Sequence, residues 1–169
     1  MTAPAGIEFT IHDVKGALSQ VPDDASVVLG AALLHSALGR LFERRLGAES
    51  HELLSNGAPI GAFPTRIQLA HGLGWIDNDT CDDLARVHTI REETTPAIGS
   101  KPFARAIAFE RCAGFNVAEA LFGRVPPDAP GMHDGMTVIQ TPIGDEAAQV
   151  ARHRFEVTVE LLEQRLDGL

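Results

Sequence analysis

The run from Ala25 to Leu46 constrains this chain more than any other segment. Val27, Val28, Leu34, Leu38, Leu41 and Phe42 recur at helical spacing and form a broad apolar face. Ala31 and Ala32 are small enough to let a neighbouring element approach closely. Asp24 stands where an N-cap is expected, and Gly47 where a helix passes into a left-handed C′ residue. Arg44 and Arg45 fall in the last turn, where cations complement the helix dipole. The pattern predicts a long central helix with Leu34 and Leu38 in the core.

Composition points the same way. The chain has 169 residues, enough for one domain with a single core. Hydrophobic residues make up 44% but aromatics only 5%, and tyrosine is absent, so Leu, Ile, Val and Ala must fill the interior. That palette suits helices more than a sheet. The formal net charge is −9, and no basic stripe of the kind that neutralises phosphates is evident. The densest basic group, Arg40, Arg44 and Arg45, is diluted by Glu43 and Glu49. Cys81 and Cys112 form no C-x-x-C pair, which predicts reduced thiols in a cytoplasmic protein. The start, MTAPAGIEFT, has no signal-peptide pattern, and the nearly uncharged run Ala25 to Gly39 is short for a membrane span.

The remaining punctuation predicts six or seven helices and almost no strand, an all-α single-domain bundle over residues 1–169. Residues 1–8 read as a loose tail, and Phe9 to Val21 as a short helix. Ser50 to Leu54 reads as one further helical turn. A helix with Pro64 near N1 runs to about Leu73, with Phe63, Ile67, Ala70 and Gly74 on one face. Asp77 is the expected N-cap of a helix from Asn78 to about Thr94, closed by Pro96. Phe103 to Leu121 reads as one helix. Gly123 to Gly144, with Pro126, Pro127, Pro130 and Pro142, reads as an irregular insertion loop with a strand-like arm at Met136 to Thr141. Asp145 is the expected cap of a last helix reaching nearly to Leu169, with Val150, Phe155, Val157, Leu161, Leu162 and Leu166 apolar.

Between Gly57 and Pro96 the chain reads GAPIGAFPTRIQLAHGLGWIDNDTCDDLARVHTIREETTP. A Gly/Pro turn, a short helix carrying Arg66, a Gly-Trp-Ile-Asp junction and a second helix ending near Arg91 follow one another. This resembles the core of the mannitol operon repressor family, with its G-x-P-L-G-x-F turn, its A-R-I-x-L-A-x-x-L-G helix and its R-N-x-F-A-H ending. The similarity extends in order over Ala25 to Leu166, leaving the Gly123 to Gly144 loop unmatched. It implies a bundle of the wider HEPN helical class that acts in regulation. In ribonucleases of that class an Arg binds phosphate and a His acts as general acid–base. Here Arg91 stands at the Arg position, Glu92 at the Asn position and Pro96 at the His position, which removes the proton-transfer group.

No catalytic constellation, metal set or cofactor motif is assembled in the sequence. Candidate binding residues are Arg66, Arg91, Glu92 and His71. Arg66 and Arg91 should meet at one end of a helical hairpin, with Glu92 or Glu93 between them as an Arg66–acid–Arg91 cluster. His71 and His88 are candidates to face each other across that hairpin. Trp75 reads as a core plug at the junction. The Asn78 to Thr94 helix opens with Asp79, Asp82 and Asp83, a face that repels phosphate. The sequence therefore predicts a cytoplasmic regulator that binds a protein partner, with a homodimer as one form, without direct sequence-specific DNA binding and without a membrane. The alternatives are an RNA-acting, catalytically degenerate HEPN-type protein and a helical module that holds a metabolite.

Overall fold

The computed structural model describes residues 14–47, 50–55, 57–94, 101–123 and 144–169. Within them the fold is all-α, with eight α-helices, one 3-10 turn and no strand. The helices are α1 (Val14–Ser19), α2 (Asp23–Leu46), α3 (Ser50–Leu54), α4 (Phe63–Gly72), α5 (Asn78–Thr94), α6 (Ala106–Ala113), α7 (Asn116–Phe122) and α8 (Asp145–Gly168), with the 3-10 turn at Pro102–Ala104 before α6. The tail at 1–8, the Phe9 to Asp13 part of the first expected helix, Pro96 and the strand-like arm lie outside the described residues.

Helix α2 is the axis of the bundle and packs most extensively on α8, then on α5. Val27, Leu34, Leu38, Leu41 and Phe42 are fully buried, as the apolar spacing requires. Val28 departs from that pattern and is 46% exposed. Ala32 is exposed as well. The close approach is made instead at Gly30, where an added Cβ would stand 2.9 Å from the Phe155 ring and 3.1 Å from Val159 Cγ2 of α8. A glycine at the crossing lets Phe155 reach Phe103 and Phe115, with ring centroids 5.4 and 6.4 Å away. By length and composition α2 could cross a membrane, yet 56% of its most apolar window is buried within the bundle.

Several boundaries differ from the sequence reading. Helix α2 starts at Asp23 with Pro22 as its N-cap residue, so Asp24 lies inside the first turn, where its carboxylate accepts the adjacent Ala25 N–H. Gly47 closes the helix with φ +80° and its N–H on Glu43 O. Asp77 is the cap expected of it, its carboxylate accepting the Thr80 N–H at 2.8 Å. The last helix takes Gly144, not Asp145, as its cap residue. Its Val150 is 44% exposed, while the charged Arg154 and Glu156 are buried. Leu121 is exposed too.

The expected single helix over Phe103 to Leu121 is divided into the 3-10 turn, α6 and α7. The second break, at Gly114 and Phe115, has a tertiary cause. Asp83 of α5, fully buried, accepts the N–H groups of Asn116 at 2.8 Å and Val117 at 2.9 Å. Those are N-terminal amides of α7, so a carboxylate from another helix supplies the cap that Phe115 cannot. The Arg86 guanidinium lies over Gly114, where an added Cβ would meet Nη1 at 2.6 Å.

Candidate functional site

Arginines decide what this surface can do. Arg66, on the first turns of α4, is 6% exposed. Its Nε donates to Ile60 O at 2.9 Å, Nη1 to His35 O at 3.1 Å and Nη2 to Leu54 O at 2.6 Å. The side chain thus ties α4 to α2, to the end of α3 and to the Gly/Pro turn. Burial lowers its pKa, with Glu43 acting the other way. The expected bridge from Arg66 to Glu92 or Glu93 is not formed: backbone carbonyls take the donors instead. Glu93 pairs with Arg111 at 3.0 Å, and Glu92, largely exposed, stands 3.8 Å from Arg91. A cation on three carbonyl dipoles needs no carboxylate to be satisfied.

The residue that neighbours both arginines is His35, a lone histidine that no sequence motif singles out. His35 projects from the middle of α2, and its Nε2 lies 3.0 Å from the Gly61 carbonyl. A carbonyl only accepts, so Nε2 carries the proton and Nδ1 bears the lone pair. Burial, and next the Arg66 charge, lower its pKa; the Gly61 bond opposes this and Arg91 lowers it further. The imidazole is therefore neutral at physiological pH. Arg66 donates to the His35 carbonyl and Arg91 lines a cavity with His35, so both arginines lie at the His35 end of the α4–α5 hairpin. Phe63 packs between His35 and His88, with ring centroids 5.6 and 5.9 Å away.

His71 is elsewhere. It lies at the exposed C-terminal end of α4 and bonds Asn78 Oδ1 at 2.7 Å across the junction. His88 instead packs edge-on to Phe63, and its Nδ1 is buried without a hydrogen-bond partner in the structure. The two histidines thus have separate partners. No group of three metal-ligating side chains occurs among the described residues. Trp75 is half-buried and meets Phe42 edge-on at 5.0 Å, consistent with a plug.

Two cavities border the outer face of α2. One, of about 120 Å³, is lined by Val28, Ala31, Ala32, His35, Phe63 and Arg91. The other, of about 280 Å³, is lined by Ser36, Gly39, Arg40, Glu43, Leu54, Ser55 and Arg66. Sequence periodicity could have flagged the first: Val28, Ala32 and His35 share one α2 face, beside the Leu34 and Leu38 stripe.

Five further arginines among the described residues are bound within the molecule. Arg40 meets Glu163 at 2.8 Å and Asp167 at 2.9 Å. Arg44 donates to Leu166 O and Arg45 to Leu169 O, so the densest basic group caps the end of α8. Arg152 joins Asp23, Glu156 and the carbonyls of Leu18, Ser19 and Val21. Arg154, 5% exposed, donates to Cys112, Ala113 and Gly123 carbonyls at the ends of α6 and α7. Cys81 and Cys112 are free thiols, and burial pushes the Cys112 pKa up. Such a thiol is a packing group rather than a nucleophile. Comparison of the chain with protein-family models, curated proteins and solved structures gives no match.

Proposed function

We propose that this protein is a regulator of the mannitol operon repressor kind that works in the cytoplasm by binding a protein partner rather than by reading DNA. The observation that carries this reading is the internal use of the arginines. Arg40, Arg44 and Arg45 are held by acids and terminal carbonyls of α8. Arg66 and Arg154 are buried on carbonyls. Phosphate contacts supply most non-specific affinity for nucleic acid, and such contacts require cations directed at solvent. With a net charge of −9 the surface repels a polyanion. Exposed apolar side chains, Leu121 and Phe122 at the end of α7 and Val150 on the first turns of α8, supply surface of the kind that partners cover. A homodimer is one form this association takes.

The RNA-acting alternative gains one specific observation. His35, from a different helix, places a neutral imidazole beside Arg91, where Pro96 offers none. The cavity they share, about 120 Å³, is too small for a nucleotide, and the acidic surface opposes an RNA strand. Incubation with total RNA tests this directly. No cleavage above a buffer control is expected; cleavage lost in both Arg91→Ala and His35→Ala would establish the ribonuclease reading and overturn ours. Titration of labelled operator-length duplexes at near-physiological salt tests the other half, and a nanomolar, sequence-dependent Kd would contradict it.

A further inference from the structure

We propose that the open cavity between α2, the end of α3 and α4 binds a small amino-acid zwitterion, its carboxylate on Arg66 and its ammonium group on Glu43. The inference stands apart from the partner-binding reading and does not depend on it.

Arg66 supplies the cation. A guanidinium carries five N–H groups. Nε, Nη1 and Nη2 each give one to a carbonyl, those of Ile60, His35 and Leu54 respectively. One N–H on each terminal nitrogen remains for another acceptor, and the side chain borders the cavity. Gly39 of α2 lets the guanidinium reach that border, since a Cβ added there would stand 3.0 Å from Nη1. The three carbonyls hold the group in place, so a ligand meets a donor already ordered. They are neutral dipoles, however, and leave a charge that is 6% exposed without a carboxylate in contact among the described residues. A ligand carboxylate supplies that counter-charge through charge-assisted bonds, the stronger kind.

Glu43 supplies the opposite charge. It lies one turn beyond Gly39 on α2 and is exposed at the same cavity. Its charge acts on Arg66, and its carboxylate makes no hydrogen bond or ion pair among the described residues. Arg40, its neighbour at the rim, already meets Glu163 at 2.8 Å and Asp167 at 2.9 Å. Arg66 and Glu43 therefore face one space with opposite sign. A simple anion is repelled by Glu43 and a simple cation by Arg66, whereas a molecule carrying both charges is attracted at each end.

Size and polarity narrow the ligand further. The cavity volume is about 280 Å³. A cavity of roughly 150 Å³ holds benzene, so this one has room for roughly ten non-hydrogen atoms, a free amino acid rather than a nucleotide. The Ser36 and Ser55 hydroxyls share its wall. Ser55 Oγ donates to Glu52 O and so presents its lone pairs, which suits a hydroxyl or amide side chain on the ligand.

The test is calorimetric titration of the full chain with L-serine, L-glutamine, and the N-acetyl and α-carboxamide derivatives of each. Saturable binding of at least one free amino acid is expected. Blocking its carboxylate or its ammonium group should weaken it by about 10- to 100-fold, as loss of a charge-assisted contact does. Arg66 variants disturb the fold, so the protein side is tested at two exposed positions. Glu43→Gln should weaken the free amino acid by about 3- to 10-fold, the smaller loss fitting an exposed partner, and leave the melting temperature unchanged. Ser36→Phe should fill the mouth of the cavity and abolish binding, again with an unchanged melting temperature. No saturation by either amino acid overturns the proposal. A blocked derivative that binds as tightly as its parent, or equal binding by Glu43→Gln, overturns the zwitterion. Binding retained by a normally melting Ser36→Phe shows that the cavity is not the site.

Discussion

Arg66 and Arg154 form a controlled comparison within one molecule. Each is almost fully buried, each donates to three backbone carbonyls, and burial lowers the pKa of each. Arg154 closes the ends of α6 and α7 and lines neither of the cavities along α2. Arg66 lines an open cavity of about 280 Å³ with Arg40 and Glu43, and acts on His35 in the next cavity. The same bonding device is structural scaffolding in one place and the border of a candidate site in the other. What distinguishes them is access to solvent and neighbouring side chains, not the bonds they make.

The largest expected effect is at Arg154. Truncation to Ala leaves the buried Cys112 and Ala113 carbonyls and the partly exposed Gly123 carbonyl without this donor, and should cost about 3–5 kcal/mol in urea denaturation. Arg66→Ala should cost less, about 2–4 kcal/mol, because water in the adjoining cavity can reach the freed carbonyls. Equal losses would show that access does not separate the two sites. Asp83→Asn should cost about 1–2 kcal/mol, the loss of a cap on α7 whose far end Arg154 holds. A double variant of Asp83 and Arg154 should then be non-additive, because both fix the same short helix.

The smallest effect is the pH dependence at the Arg66 end. The His35 pKa is lowered in the fold, so the unfolded chain binds that proton more readily. Stability should therefore fall as pH drops below about 6.5, and hold steady above it. His35→Gln keeps a donor for Gly61 and should flatten this part of the profile. An unchanged profile would mean that His35 is not held neutral.

The sequence made the long helices legible because their signals are local. Spacing located α2, Asp77 located the start of α5, and Gly47 located the end of α2. The errors arose where a distant residue decides the local structure. Asp83 lies more than thirty positions from the α7 amides that it caps, so nothing near Gly114 marks the helix break. Gly30 has a role only because Phe155 crosses over it. At the candidate site, Arg66 and Arg91 were legible from the hairpin that carries them. Their acid bridge was not, because the carbonyls that satisfy Arg66 come from three separate segments. His35 was missed for the same reason: it joins Arg91 only once α2 packs on α4 and α5. His71 was drawn in by its place on α4, yet it faces the opposite end of that helix.

The central proposal is that the protein acts through a protein partner, with Arg40, Arg44, Arg45, Arg66 and Arg154 engaged by its own fold. The most direct measurement is affinity capture of the tagged full chain from its native host, with and without nuclease, quantifying protein and nucleic acid in the same eluate. The account predicts a protein recovered in stoichiometric amount, unaffected by nuclease and accompanied by no more nucleic acid than a mock capture. Recovery of a defined RNA or DNA as the stoichiometric component, with the co-purified proteins lost after nuclease, would contradict it.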